Sequence, residues 1–144
     1  MSDLWTPGQE VHRMRRTMTA ERMRWYADAI ETSLAGYSVI ASPNIHTDDE
    51  IARANGLPGR VADGMVTTNW LSTILVESFG EAYLRGGSLR TRYRRPITED
   101  ATVDTVVRVR GVEEKKDGRE LMLDVWCETS DGEHRTIGEA SVPL

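Results

Sequence analysis

His46 is the side chain in this sequence best suited to move a proton, and it lies in a short loop-forming segment, residues 44–48. The imidazole pKa is near neutrality without any perturbation, so the ring can take a proton from water and return it. The alternative is a structural histidine that caps a helix or bonds a backbone carbonyl. A catalytic imidazole would need a carboxylate partner, and the sequence leaves four candidates open: Asp28, Glu31, Asp48 and Asp63.

Asp63 and Gly64 form a second candidate site, because they precede an apolar segment that continues to Phe79. A backbone N–H in the first turn of a helix has no helical acceptor, and the helix dipole favours negative charge there. Without a Cβ, Gly64 lets the backbone approach a carbonyl group closely. The dipeptide therefore predicts stabilisation of an enolate-like oxygen. Equally open is a simple N-cap at Asp63 with a permissive neighbour.

Five further residues are candidate substrate contacts. Asn69, the lone amide of the apolar segment, either orients a polar group of the substrate or bonds within the core. Arg90 and Arg92 share one face of a predicted strand, where they either hold phosphate groups or form a solvated charged face. Asn44 and Met65 adjoin the two candidate sites. No spacing typical of a zinc site, a phosphate-binding glycine loop or a serine triad occurs, so we expect no metal and no cofactor.

Hydrophobic periodicity predicts the elements that must position these residues. Apolar positions at helical spacing predict a helix between Thr19 and Gly36 and a buried helix at 63–79. Acidic residues in the first turn, with Gly56 just beyond the end, predict a short helix at 48–55. Elsewhere apolar and polar residues alternate, which predicts strands. The predicted strands are 10–17, 88–94, 103–109, 121–127 and 134–142, with tight turns at Asp117-Gly118 and Asp131-Gly132. The fold class is therefore α+β.

Length and composition narrow the class of protein. A chain of 144 residues with 39% apolar and 28% charged residues fits a single domain over residues 1–144. The net charge of -5 argues against nonspecific nucleic-acid binding, and no stretch is apolar enough to span a bilayer. The N-terminus lacks the apolar core of a secretory signal, and the single Cys127 can form no internal disulfide. We therefore expect a cytoplasmic protein with a buried thiol.

From Asn44 onward, motifs follow one another in the order of one known protein family. They are Asn44-Ile45-His46-Thr47-Asp48, Ala52, Asn55-Gly56-Leu57-Pro58-Gly59, Ala62-Asp63-Gly64-Met65, Gly86-Gly87, the strand 88–95 with Pro96, and the strand entry 100–107. Together they resemble the hydratase signature of the MaoC-like family of hot-dog proteins, which includes R-specific enoyl-CoA hydratases and related dehydratases. The resemblance implies a hot-dog fold, in which a long central helix is wrapped by an antiparallel sheet. It also implies a homodimer and a thioester substrate, either acyl-CoA or an acyl-carrier-protein thioester.

One position departs from the family pattern. The family usually has an aspartate five residues before the histidine, and the pair activates the water that adds to the double bond; here that position is Ala41. By resemblance, the chain is a hydratase or dehydratase in which His46, with another partner, moves the water proton and Gly64 polarises the thioester carbonyl. Two alternatives stay open: a thioesterase that uses Asp63 or Glu77, and a noncatalytic subunit that binds an acyl thioester.

Overall fold

The helices and strands follow one another in the order that the periodicity predicts, with one addition. The computed structural model describes residues 4–144. Its elements are β1 (Glu10–Thr17), α1 (Ala20–Ala35), α2 (Asp49–Ala54), α3 (Gly64–Phe79), α4 (Glu81–Gly86), β2 (Ser88–Tyr93), β3 (Thr102–Lys115), β4 (Gly118–Thr129) and β5 (His134–Pro143). Helix α4 is the addition, because glycines on either side of this short segment indicated a break. In the part of the chain that the structure describes, no helix has both the length and the apolar character needed to cross a bilayer.

Capping residues mark the helix boundaries. Thr19 caps α1, since its side-chain oxygen accepts a hydrogen bond from the backbone N–H of Arg22, and Gly36 ends that helix at a φ of 74°. Asp48 and Asp63 cap α2 and α3 in the same way. These caps fix the start of each helix and, with it, the course of the loop that precedes it.

The five strands form an antiparallel sheet in the order β1-β3-β4-β5-β2. Strands β3, β4 and β5 pair consecutively, as the predicted meander requires. Lys116 and Asp117 form the turn between β3 and β4, and Gly118 opens β4 at a φ of 142°. The turn before β5 contains Gly132 at a φ of 79°, and both φ values favour glycine. Both predicted hairpins are therefore confirmed, the first with its turn one residue earlier than predicted. Strands β1 and β2 occupy the two edges, so β2 lies beside β5 although two strands separate them along the chain.

Helix α3 lies against the sheet and contacts all five strands. On its sheet side Leu71, Ile74 and Leu75 are fully buried among inward-facing strand residues. The opposite side is open, because Met65 is 43% exposed and Asn69 is exposed as well. The expected enclosure of this apolar helix is thus confirmed on the sheet side only. The α+β arrangement of a long central helix on an antiparallel sheet is the one that the hot-dog resemblance implies.

Cys127 lies on β4 in the core between the sheet and α3. Burial raises the pKa of its thiol to about 12, and the nearby hydroxyl of Thr105 offsets this only in part. A thiol with so high a pKa forms almost no thiolate at neutral pH, and the thiolate is the reactive species. The predicted buried, unreactive thiol is therefore confirmed.

The face of the sheet turned away from α3 carries ion pairs. Asp104 accepts hydrogen bonds from Arg15, and these bonds hold the pKa of its carboxyl below the ordinary value. Arg110 contacts both Asp124 and Glu139, which are cross-strand neighbours. This face fits the second alternative given for Arg90 and Arg92, a solvated charged face that holds no phosphate groups.

Candidate functional site

Asn44 holds the loop that carries His46. The side-chain oxygen of Asn44 accepts a hydrogen bond from the backbone N–H of His46 at 2.8 Å, and its amide nitrogen donates to the carbonyl of Ser42 at 3.0 Å. Side-chain bonds of this kind replace the regular backbone pairing that a loop lacks. The structure therefore gives Asn44, a predicted substrate contact, a positioning role within the loop.

The imidazole of His46 is fixed by the backbone of Val61. Its Nδ1 lies 2.8 Å from the carbonyl oxygen of Val61. Because a carbonyl can only accept, Nδ1 carries the proton of the neutral ring, and the free lone pair lies on Nε2. This tautomer is the one that a general base requires at Nε2.

Asp63 brings a carboxylate to that lone pair. Its Oδ2 lies 3.8 Å from Nε2 of His46, while its Oδ1 accepts a hydrogen bond at 2.8 Å from the backbone N–H of Met65. The two carboxylate oxygens therefore have separate roles, one in the cap of α3 and one beside the histidine. A separation of 3.8 Å is too long for a direct hydrogen bond, but one water molecule placed beside the two atoms could donate a hydrogen bond to each. Both side chains are partly open to solvent, at 26% for His46 and 34% for Asp63.

The other three candidate carboxylates bond elsewhere. Asp48 caps α2 through bonds from two backbone N–H groups. Asp28 accepts from the backbone N–H of Ala41 at 2.6 Å, and Glu31 accepts from that of Ser42 at 3.2 Å. These two residues of α1 thus hold the chain at the position where the family usually has its aspartate. Ala41 itself is only 4% exposed.

Gly64 has a neighbour that the sequence did not predict, the ring of Tyr93 on β2. A Cβ added to Gly64 would lie 2.8 Å from three atoms of that ring, which is closer than side chains normally pack. The hydroxyl of Tyr93 is anchored 2.7 Å from Oγ1 of Thr68 and 3.1 Å from the sulfur of Met65. The missing Cβ of Gly64 therefore makes room for an aromatic ring at the start of α3. The alternation of β2, with Leu89 and Thr91 on the same side, was the signal that could have placed this ring beside α3.

A cavity of about 260 Å³ opens beside Asp63 and Gly64. It lies between the first turn of α3 and the strand ends of β2 and β5. Its lining residues are Ala62, Asp63, Gly64, Thr67, Tyr93, Arg94, Arg95, Pro96, Ile97 and Thr136. The lining is mixed, because apolar residues and two buried threonines lie together with the charged residues Asp63, Arg94 and Arg95. The cavity therefore suits a small organic group that carries polar atoms.

Three predicted substrate contacts lie away from this cavity. Asn69 lines a groove with Arg16, Trp25 and Trp70 on the open side of α3. Arg90 and Arg92 line a cavity of about 580 Å³ on the face of the sheet turned away from α3. The structure therefore does not bring these three residues together with His46. Arg90 and Arg92 point away from α3 because Leu89, Thr91 and Tyr93 occupy the inward positions of β2. Met65, the fifth predicted contact, lies next to the site through its contact with Tyr93.

Glu77, a candidate thioesterase carboxylate, lies at the far end of α3. It lies thirteen positions after Gly64, which corresponds to about 20 Å along a helix. Its Oε2 lies 3.0 Å from Nε2 of His12 on β1, so it belongs to a separate surface pair. Among residues 4–144, no group of three or more His, Cys, Asp or Glu side chains is arranged to hold a metal ion.

Solved structures share this architecture along nearly the whole chain. The (R)-hydratase from A. caviae involved in PHA biosynthesis is 18% identical, with 99% of each chain covered and a TM-score of 0.71. A MaoC-like dehydratase from Rhodospirillum rubrum is 17% identical, with 96% of this chain and 92% of that chain covered and a TM-score of 0.73. The ChsH1-ChsH2 complex from Mycobacterium tuberculosis matches at 13% identity, with 96% and 98% covered and a TM-score of 0.73. These likenesses establish the hot-dog fold.

Sequence comparison gives the family. Functionally curated proteins yield no significant match. The sequence profile of the MaoC like domain, in contrast, matches residues 5–126, which is most of the chain and includes His46, Asp63 and Gly64. The fold, the motif order and this match agree. The chain therefore belongs to the MaoC-like domain family.

Proposed function

We propose that this protein is a hydratase or dehydratase of acyl thioesters in which His46 and Asp63 jointly hold the reacting water. The observation that carries the proposal is the 3.8 Å separation between Nε2 of His46 and Oδ2 of Asp63, at the first turn of α3. Asp63 would supply the carboxylate that the family usually has at the position of Ala41. Membership of the MaoC-like family supports the reaction class.

The proposed hydration needs only these two side chains to move protons. A water molecule between the two atoms donates one proton to each, which aims its oxygen at the β-carbon of an enoyl thioester. As the new C–O bond forms, Nε2 takes a water proton and the double-bond electrons move through the α-carbon onto the carbonyl oxygen. The imidazolium then returns a proton to the α-carbon, and the adjacent Asp63 carboxylate stabilises the cation in between. Dehydration is the same sequence reversed.

The start of α3 would stabilise the enolate. The backbone N–H of Gly64 belongs to the first helical turn, where N–H groups lack helical acceptors and the helix dipole favours negative charge. The carboxylate of Asp63 would oppose an oxyanion, but a hydrogen bond from the backbone N–H of Met65 to its Oδ1 stabilises part of the carboxylate charge. The carbonyl oxygen would therefore approach Gly64 from the cavity side.

The proposal extends to the partners of the chain. The substrate would be an acyl-CoA or acyl-carrier-protein thioester, and the protein would act in the cytoplasm as a homodimer. Exposed apolar side chains support association, since Leu34 and Ile40 are 85% and 75% exposed. They lie at the end of α1 and in the segment after it, on the chain that leads to His46.

A noncatalytic subunit is the second candidate. Two observations favour it: Ala41 stands where the family usually has its aspartate, and the solved ChsH1-ChsH2 assembly is a complex of two different chains. In such a complex this chain would shape the acyl site of a catalytic partner. The contact between His46 and Asp63 argues for the catalytic assignment, because a subunit that only binds has no need of a base beside a carboxylate.

A panel of short enoyl-CoA thioesters separates the candidates. A hydratase removes the absorbance of the conjugated enoyl thioester without releasing thiol, whereas a thioesterase releases free coenzyme A. We expect loss of the conjugated band and no thiol. The hydratase assignment would be wrong if the purified protein bound these thioesters and left both signals unchanged, as a noncatalytic subunit would.

A further inference from the structure

We infer that the cavity beside Gly64 selects acyl groups that carry a hydrogen-bond donor, such as a hydroxyl or an amide N–H, a few atoms beyond the thioester carbonyl. This specificity rests on the proposed function. The feature that carries it is the contact between Thr67 of α3 and Thr136 of β5, whose hydroxyl oxygens lie 2.8 Å apart in the cavity lining. Thr67 is 1% exposed and Thr136 is 2% exposed, so they form its most buried part.

The proton positions in this contact follow from the neighbouring bond. Oγ1 of Thr67 also lies 2.7 Å from the carbonyl oxygen of Gly64, which can only accept a hydrogen bond. The single hydroxyl proton of Thr67 is therefore engaged with Gly64. Thr136 must then donate its own proton to Thr67, which leaves the oxygen of Thr136 with acceptor capacity alone. A ligand atom that reaches Thr136 can satisfy this oxygen only by donating.

The residues around Thr136 raise the free-energy cost of leaving its oxygen without a hydrogen-bond donor. Ile97, only 4% exposed, lines the cavity together with Pro96 and the ring of Tyr93. A buried polar atom beside apolar side chains such as that of Ile97 is costly when it lacks a partner. A methyl group placed against Thr136 would exclude water and leave the acceptor unpaired, whereas a hydroxyl would pair with it.

The position of the threonines sets the length of the acyl group. Thr67 lies three residues after Gly64, which is about 4.5 Å further along the helix axis. A thioester whose carbonyl lies at Gly64 would therefore reach Thr136 with a chain only a few atoms long. This distance favours a short, hydroxylated or amidated acyl group over a long alkyl chain.

The test compares two enoyl-CoA thioesters of equal chain length, one ending in a hydroxyl and one in a methyl group. We expect kcat/KM to favour the hydroxylated substrate, and we expect Thr136→Val to reduce this preference by roughly tenfold. Thr136→Ser, which keeps the hydroxyl, should retain the preference. The kcat/KM ratio of the two substrates is compared between the wild-type protein and each variant, so the intrinsic difference in reactivity of the two substrates cancels. An equal ratio in the wild-type protein and in Thr136→Val would overturn the inference.

A binding measurement keeps this test independent of turnover. The dissociation constants of two saturated acyl-CoA thioesters, one with the terminal hydroxyl and one with the methyl group, are measured for the same three proteins. If no enoyl thioester is hydrated, the proposed function fails, but tighter binding of the hydroxylated analogue that is lost in Thr136→Val still supports the inference. Equal dissociation constants in all three proteins contradict it.

Discussion

Replacing His46 by alanine is expected to lower kcat for enoyl-thioester hydration by roughly 10² to 10⁴-fold, the usual contribution of a positioned acid–base group. The physical reason is the free lone pair on Nε2, which follows from the bond between Nδ1 and the carbonyl of Val61. KM should change much less, because in the proposed mechanism the ring acts on the reacting water and not on the acyl chain. Initial rates of loss of the enoyl absorbance measure both constants.

His134→Ala is the matched control for this substitution. His134 stacks on Trp126 with ring centroids 5.0 Å apart, on the face of the sheet turned away from α3. It is therefore a partly exposed histidine with no contact to the cavity beside Gly64. We expect its kcat to equal that of the wild-type protein. A His46→Ala variant that is folded and keeps the wild-type kcat would remove the histidine from the mechanism.

Gly64→Ala is expected to reduce both stability and activity, for two separable reasons. The new Cβ would lie 2.8 Å from the ring of Tyr93, and overpacking of this kind costs about 1–3 kcal/mol in the free energy of unfolding. The same methyl group would keep a thioester carbonyl away from the first turn of α3. Loss of one such donor lowers kcat by roughly 10² to 10³-fold. Denaturant unfolding measures the first effect and hydration rates the second.

The double variant Gly64→Ala/Tyr93→Leu separates these two effects. A smaller side chain at 93 frees the space that the new Cβ needs, so we expect the stability to return to that of Tyr93→Leu alone. We expect kcat to remain far below that of Tyr93→Leu, because the methyl group still blocks the carbonyl. If kcat recovered together with stability, Gly64 would serve only to accommodate the ring, and the oxyanion role would be lost.

Periodicity and capping predicted most of the framework, because these signals are local. Thr19 and Asp63 were identified as possible caps by residue type and position alone, and each side chain bonds a backbone N–H in the structure. The two Asp-Gly turns were predictable for the same reason, since a positive φ at Gly118 or Gly132 is a property of one residue. Helix α4 was missed because its glycine boundaries indicated only an interruption.

The site itself depended on distances that no local signal contains. Asp63 lies seventeen residues after His46, and only the turn that places Val61 beside the imidazole brings the two side chains together. Four carboxylates were therefore equal candidates from sequence. Arg90 and Arg92 illustrate the converse case: their alternation was identified, but the face of β2 that points to α3 is set by pairing with β5. The inward face carries Tyr93 instead.

The joint action of His46 and Asp63 on one water molecule is tested most directly by a double-mutant cycle in kcat/KM. Asp63→Asn suits this purpose because asparagine also caps helices, so stability should hold, and Asp48→Asn at the N-cap of α2 is its matched control. We predict that Asp63→Asn lowers hydration in the wild-type protein but has little further effect in His46→Ala. Independent losses that multiply in the double variant, or full activity in Asp63→Asn, would contradict a shared water.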